Sequence, residues 1–312
     1  MSAIVLEIND ARRAFADRQA LQGVSLSVSA GEIVALLGPN GSGKTTLMRA
    51  IAGRLPLDHG NVSVLGFNPM IDSRARQALG IVPQSIALYP QLTARQNLEV
   101  FAKLSGLKKI TSDAAVEEAL MRTELLDRAD DQLSALSGGM QRRLNIIAGT
   151  LHRPKLLLLD EPTVGLDMHA RESIHALLKT LSQTGIGMLL STHDFEQAAE
   201  VADRAAFMLQ GRLLIEGPVA GLIKDFFGEA KEAVVTLAHP VSPVALGILT
   251  EFGLSASREE LVWSGPLPDG YAKLALLESR MRQADVHVAE MRIREPGLGG
   301  VFMQLMDKGP AE

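Results

Sequence analysis

The chain has 312 residues, enough for one large domain or two ordinary ones, and its 46% hydrophobic and 21% charged residues are usual for a globular protein. A net charge of −5 argues against a polyanion-binding protein, so no nucleic-acid partner is expected. With no cysteine, a disulfide scaffold and thiolate zinc sites are excluded.

The N-terminal "MSAIVLEINDARR" lacks a basic stretch followed by a long apolar one, so no signal peptide is expected. No apolar run approaches the ~18 residues of a spanning helix, so the chain is expected to be soluble by itself. Any membrane role then comes through a partner.

Short apolar runs alternate with helical patterns, which predicts α/β construction. "GEIVALLG" (Gly31–Gly38) reads as a buried strand entering a Gly-rich turn. "KTTLMRAIAG" follows as a helix, with Leu47, Ala50 and Ile51 at helical spacing and Gly53 as its stop. Between them, "GPNGSGKT" (Gly38–Thr45) fits the G-x-x-x-x-G-K-[ST] pattern. The glycines of this loop permit the curvature that turns successive backbone N–H groups onto phosphates. Lys44 supplies a point charge to the β- and γ-phosphates, and Thr45 a hydroxyl for Mg²⁺.

Residues from about 88 to 150 read as a mostly helical insert. Within it, "LSALSGGMQRRLNI" (Leu133–Ile146) is a second anion turn, because a serine and two glycines open a helix whose Leu144, Ile147, Ala148 and Leu151 share a face. Arg142 and Arg143 lie in its first turns, where cations oppose the helix dipole unless an anion approaches. One P-loop holds a whole triphosphate, so the anion is expected from a second copy of the chain.

"KLLLLD" (Lys155–Asp160) is a central strand ending in an acid placed to hold the Mg²⁺ shell. Glu161 follows at the strand's carboxyl end, where a carboxylate can orient and deprotonate a water. "GMLLSTH" (Gly187–His193) is a further strand that leaves His193 on the same predicted edge, in position to sense the γ-phosphate. The remaining histidines read as surface or helix residues.

Near Gly217-Pro218 the character changes. "AVVTLA" (Ala233–Ala238), "RMRQADVHVAEMRI" and "VFMQLM" predict a small separate α/β unit, although the period-2 alternation in Val286–Ile293 slips midway. Trp263 reads as core.

The ordered set "GPNGSGKTT", "VPQ", "LSGGM", "LLLLDEPTVGLD" and "STHD" resembles the nucleotide-binding subunit of an ATP-binding-cassette (ABC) transporter, over roughly residues 4 to 217. The resemblance implies a P-loop NTPase core with a helical subdomain (about 88–150) and an N-terminal β subdomain within an ABC domain at 4–220. A small C-terminal α/β domain at 230–308 is then accessory or regulatory, or a dimer support, or a spacer. The implied cofactors are ATP and Mg²⁺, with no other metal.

By likeness, Phe15 stacks on adenine where a tyrosine is usual, and Ala16 replaces a common glycine. Gly38, Pro39, Asn40, Gly41, Ser42, Gly43, Lys44, Thr45 and Thr46 cradle the phosphates. Gln84, Asp160 and Thr45 attend Mg²⁺, with Gln84 also reaching the attacking water. Glu161 is the implied catalytic base and His193 the switch histidine. Ser137, Gly138 and Gly139 meet ATP from the opposite subunit, and Gly165, Leu166 and Asp167 join the two sites. Met140 stands where a glutamine is usual.

"LYPQLTARQNL" (Leu88–Leu98) and the long signature segment are similar to exporter ATPases that partner separate six-helix permeases. The tail "REPGLGGVFMQL" is similar to drug-resistance members, with Gly299 and Gly300 replacing an acidic pair. The resemblance therefore implies an exporter ATPase, a homodimer, and a cytoplasmic place on the inner membrane face through an integral-membrane permease. An importer subunit and a soluble non-transport ABC ATPase are the alternatives. The latter usually has two cassettes or a long coiled coil, and neither is present here.

Overall fold

The computed structural model describes residues 3–16, 18–256 and 261–307. Lys308, the expected end of the C-terminal domain, and residues 257–260 within it lie outside the described residues. The chain divides into two compact units, one formed by Met1–Asp194 with Glu200–Ile215 and the other by Phe195–Ala199 with Glu216–Glu312.

The first unit opens with strands β1 (Ile4–Phe15) and β2 (Arg18–Ser29), an antiparallel pair that alternates buried and exposed residues. Strand β3 (Ile33–Leu37) is buried at every position and leads through the Gly-rich turn into helix α1 (Lys44–Ile51). Strand β4 (His59–Val64) returns to pair with β1, which completes a three-stranded sheet in the order β2-β1-β4. After helix α2 (Ser73–Gln77) comes strand β5 (Leu79–Val82).

Helices α3 (Ala94–Leu104), α4 (Lys109–Arg122) and α5 (Gly138–Ala148) form the helical region. Thr93 caps α3 with a reciprocal capping box, its Oγ1 accepting from the Gln96 N–H while Gln96 accepts from the Thr93 N–H. The preceding turn is braced by fully buried Asn97, whose amide exchanges bonds with the Tyr89 N–H (2.7 Å) and the Tyr89 carbonyl (3.0 Å). Its burial marks it as structural.

Strand β6 (Leu156–Asp160), helix α6 (Met168–Gln183), strand β7 (Gly187–Thr192), helix α7 (Phe195–Val201), and strands β8 (Arg204–Leu209) and β9 (Arg212–Pro218) follow. Together with β3 and β5 these strands make a six-stranded sheet in the order β5-β6-β7-β3-β8-β9. Strands β5, β6, β7, β3 and β8 run parallel, and β3, β6 and β7 read as continuous apolar runs because both faces are covered. One core joins the two sheets and α1, through residues such as Val5, Leu26, Leu36, Leu47, Leu158 and Leu189.

His152 departs from the surface-or-helix expectation, while His175 meets it as a helix residue. His152 lies in a turn and its Nε2 meets the Leu79 carbonyl at 2.9 Å. His175 sits on α6 but is buried, 3.1 Å from a Glu200 carboxylate oxygen. Burial pushes the His175 imidazole pKa down, and the Glu200 carboxylate offsets this only in part. The unfolded chain then takes up a proton near the ordinary imidazole value of about 6.5, before the folded one does. Stability is thus held above that value and lost as pH falls through it towards the lower folded value. His175→Gln is expected to flatten the fall in urea midpoint between about pH 7 and 5; an unchanged slope would contradict the assignment.

In the second unit, α8 (Val219–Phe227), β10 (Lys231–Leu237), α9 (Pro243–Glu251), β11 (Ser255–Ala256), β12 (Val262–Leu267), α10 (Gly270–Gln283), β13 (Val288–Arg294) and α11 (Leu298–Asp307) follow in order. The strands form an antiparallel sheet, β11-β12-β10-β13, over a core that includes Trp263, Leu249, Leu267 and Leu277. The slip in the Val286–Ile293 alternation is resolved by the strand starting at Val288, with a register shift at Thr236/Leu237 on its partner.

The second of the paired tail glycines, Gly300, has a steric reason, whereas a Cβ at Gly299 would only reach Phe195 at 3.9 Å. Glu232 on β10 is fully buried and takes two bonds from Arg294, from Nε at 2.8 Å and Nη2 at 3.2 Å. The Glu232 carboxylate holds the Arg294 pKa above its usual value. A Cβ at Gly300 would lie 2.7 Å from Phe227 Cζ and 2.8 Å from Glu232 Oε1. An acid at that position would clash with the ring and set a second negative charge against a buried carboxylate.

Candidate functional site

Parallel strands end on one edge of their sheet, and here four adjacent ends carry the polar residues. Strand β5 delivers Pro83 and Gln84, β6 delivers Asp160 and Glu161, β7 delivers His193, and β3 delivers the turn at 38–43. The register sets Asp160 beside Ser191 and Leu37 beside Thr192, which brings the three central ends level.

These ends border a cleft of about 530 Å³ lined by Phe15, Arg18, Ala20, Asn40, Gly41, Gly43, Lys44, Thr45, Thr46, Gln84, Asp160, Glu161 and His193. Gly38, Pro39 and Ser42 belong to the same turn but sit behind its lining; Ser42 is buried and its hydroxyl has no hydrogen-bond partner. Gly43 has φ 108, and a Cβ there would meet the Ala20 carbonyl at 2.5 Å, so only glycine fits. Lys44 Nζ donates back to the carbonyls of Gly38 (2.7 Å) and Pro39 (3.1 Å), which closes the loop around its own side chain.

Across the cleft the carboxylates are braced by the next strand. The Ser191 hydroxyl donates to Asp160 Oδ1 at 2.5 Å, and Thr192 Oγ1 donates to Glu161 Oε2 at 3.0 Å. Glu161 Oε1 lies 2.7 Å from His193 Nδ1, with the Glu161 side chain 12% exposed and His193 53% exposed. Glu161 also has φ 47, a left-handed backbone that a residue with a side chain rarely adopts.

Phe15 is 45% exposed at the cleft rim, with the Arg13 guanidinium 5.0 Å from the ring centroid. Ala16 next to it has φ 47, which explains why a glycine suits that position. Arg18, which sequence reasoning missed, donates to the Gly41 carbonyl at 2.8 Å and so fixes the phosphate turn from β2. Its only sequence signal is proximity to Phe15.

Ser137, Gly138, Gly139 and Asp167 do not line the cleft. Ser137 caps α5, its hydroxyl accepting from the Met140 N–H at 3.3 Å, and Asp167 caps α6, accepting from the Ala170 N–H at 2.9 Å. The first N–H groups of α5 lack intrahelical partners and lie at or near the surface, since Ser137 and Gly138 are exposed. The two arginines behind them are engaged elsewhere and not turned to the helix start. Arg143 pairs with Glu124 and reaches the Ser173 hydroxyl, and Arg142 is buried and donates only to carbonyls.

The cleft thus combines a phosphate turn, two carboxylates, an amide and an imidazole, the parts of a nucleotide-hydrolysing site. The family model for ABC transporters matches residues 21–164. A linearmycin-resistance ATP-binding protein of Bacillus subtilis is 32% identical over 96% of this chain and 98% of its own length. A daunorubicin-resistance ATP-binding protein of Streptomyces coeruleorubidus is 32% identical over 98% of this chain and 96% of its own. A Nod factor export ATP-binding protein of Bradyrhizobium diazoefficiens is 39% identical over 73% and 75% respectively.

Among solved structures, an ATP-binding subunit of an ABC transporter superposes with a TM-score of 0.64 at 27% identity, covering 71% of this chain and 92% of that one. CbiO1 of Clostridium perfringens, part of the ABC transporter complex cbiONQ, gives 0.64 at 29% identity, covering 69% and 89%. A phosphate turn facing an Asp-Glu pair across parallel strand ends, and relatives alike along nearly the whole chain, lead to one statement: the chain belongs to the ABC transporter family, as an ATP-binding and ATP-hydrolysing subunit.

Proposed function

We propose that the chain powers an exporter, hydrolysing ATP in pairs of composite sites to drive a separate integral-membrane permease. The observation that carries this reading is the split of the site. Lys44, Gln84, Asp160, Glu161 and His193 share one cleft, and the free helix start at Ser137–Gly139 lies outside it. A second copy, turned head to tail, would bring that helix start to the γ-phosphate and make a homodimer the working unit.

The donor set suits Mg²⁺, since Thr45, Asp160 and the Gln84 amide offer hard oxygen ligands, and this ion takes few protein ligands because substrate phosphates and waters complete its shell. The orphaned Ser42 hydroxyl in the phosphate turn is a further group suited to phosphate oxygen. When bound, Mg²⁺ supplies charge neutralisation at the β- and γ-phosphates. Lys44 and the turn N–H groups hold the triphosphate, and Phe15 offers a face to the base. Glu161, steadied by Thr192 and His193, takes the proton of the attacking water.

Among the described residues no helix is long and apolar enough to cross a membrane, so translocation needs a partner that spans it. The exporter reading rests on relatives that match along the C-terminal unit too and are named for resistance or export. On that reading the subunit sits on the inner face of the cell membrane, and resistance compounds such as those named for its relatives are the cargo class to test. We assign the C-terminal unit an accessory or regulatory role.

Affinity capture of the chain from its native membranes tests this. A six-span membrane protein is expected to co-purify, and inside-out vesicles holding both are expected to accumulate cargo on adding ATP. ATP-driven loss of cargo from those vesicles would instead make it an importer.

Lys44→Ala is expected to weaken ATP binding by roughly ten- to a hundredfold, the loss of a charge-assisted contact of about 1.5–3 kcal/mol. Titration with a fluorescent ATP analogue checks it, and unchanged affinity would contradict the phosphate assignment.

A further inference from the structure

Arg142 is only 4% exposed and does not line the nucleotide cleft, yet every donor it has is used. Nε donates to the Pro162 carbonyl at 2.7 Å. Nη1 donates to the carbonyls of Pro83 and Gln84, both at 2.8 Å. Nη2 donates to the carbonyls of Glu161 at 2.7 Å and Asp160 at 3.2 Å. A guanidinium has five N–H donors, so none is left over. The acceptors lie on just two short segments, the turns that leave the neighbouring strands β5 and β6.

The second observation is the backbone of Glu161. Its φ of 47 is costly for a residue with a side chain, and such strain persists only where surroundings enforce it. The surroundings here are explicit. The Glu161 N–H donates to the Ser191 carbonyl at 2.9 Å, and the carbonyls of Asp160, Glu161 and Pro162 all converge on Arg142. With the peptide planes on both sides of its Cα fixed, the direction of the Glu161 side chain is fixed as well. That direction carries the carboxylate to Thr192 Oγ1 and His193 Nδ1.

Packing alone does not call for a cation here. Leu144, Ile146 and Ile147 on the same helix are buried without charge, and a cation near a helix N-terminus opposes the dipole. Burial pushes the guanidinium pKa down, against the opposing pull of the Asp160 and Glu161 carboxylates. The arginine is kept for its planar fork, which lysine cannot copy.

We propose that Arg142 is a positioning residue for ATP hydrolysis: it holds Glu161 in its left-handed conformation and keeps the Gln84 turn in register with it, tying both to α5. The proposal rests on the reading of Glu161 as the base. It makes Arg142 the link through which the helix that begins at Ser137–Gly139 acts on the hydrolytic carboxylate.

Steady-state kinetics of the full chain with Arg142→Met and Arg142→Lys tests this, with a thermal melt for each. Loss of positioning is expected to lower kcat by about a hundredfold in Arg142→Met, with the lysine variant in between. ATP affinity and KM, set by Lys44 and the phosphate turn, are expected to stay within about threefold. If the methionine variant does not fold, the lysine variant must still show the kcat loss at constant KM.

A double variant with Glu161→Gln then separates the two ideas. If Arg142 acts through Glu161, the double variant turns over no more slowly than Glu161→Gln alone. A full multiplicative loss overturns the role of Arg142 while leaving Glu161 as the base. Near-normal turnover in Glu161→Gln overturns the base itself and the proposal with it. A folded Arg142 variant with normal kcat, or one that loses affinity and turnover together, overturns only the proposal.

Discussion

Glu161→Gln is expected to bind ATP normally and hydrolyse it about 10²–10⁴-fold more slowly, the usual contribution of a positioned general base. The glutamine keeps the size of the side chain and can still accept from Thr192 Oγ1, so the cleft should hold its shape. What it loses is the basic, charged carboxylate that would take the proton of water. Binding is expected to be retained because the charge proposed to grip the triphosphate belongs to Lys44, at the start of α1. With hydrolysis blocked, a pair closed on ATP is expected to stay closed. Gel filtration with ATP should therefore move the variant to the elution volume of a dimer. Near-normal turnover would remove Glu161 from its role.

Ser137→Arg is expected to keep ATP from closing a pair, leaving ATP binding by the single chain intact while abolishing hydrolysis. Ser137 is exposed and lies outside the cleft, so a single chain binds ATP without it. The substitution also removes the α5 cap, worth about 0.5–2 kcal/mol, which is small beside the 5–15 kcal/mol of a folded domain. A melting curve close to that of the unaltered chain, together with loss of ATPase activity at unchanged single-chain ATP affinity, is the expected outcome. An equal fall in single-chain affinity would place Ser137 in the chain's own site.

The phosphate turn, the Asp-Glu pair and His193 were legible because each is a short stretch at the end of an apolar strand. Buried parallel strands such as Leu156–Asp160 are continuous hydrophobic runs, which leave few alternatives. Strand β12 was not legible, since it contains Gly265 and Pro266, residues that usually mark turns. The tail glycines were visible as a departure from the family pattern, but their cause was not. Gly300 makes room for the buried Glu232 carboxylate, whose partner Arg294 is 62 residues away.

Arg142 is the clearest case of what local pattern hides. The apolar face of α5 was read from Leu144, Ile147, Ala148 and Leu151, whereas residues 144–148 are all buried and the helix is enclosed on several sides. Arg142, Asn145 and Ile146 form a second buried stripe at spacings of three and four. The partners of Arg142 are 18–20 and 58–59 residues away, and they are backbone atoms, which carry no sequence signature. A charge that looked like half of an anion site is instead an internal brace.

The claim that each ATP lies between two chains is tested most directly by mixing two inactive preparations, Lys44→Ala and Ser137→Arg. In a mixed pair, one composite site carries both lesions and the other carries neither. ATPase activity, absent from each variant alone, is expected to return on mixing and to peak near equal amounts. If the mixture stays as inactive as its components, Ser137 and Lys44 serve the same chain's nucleotide and the composite site is wrong.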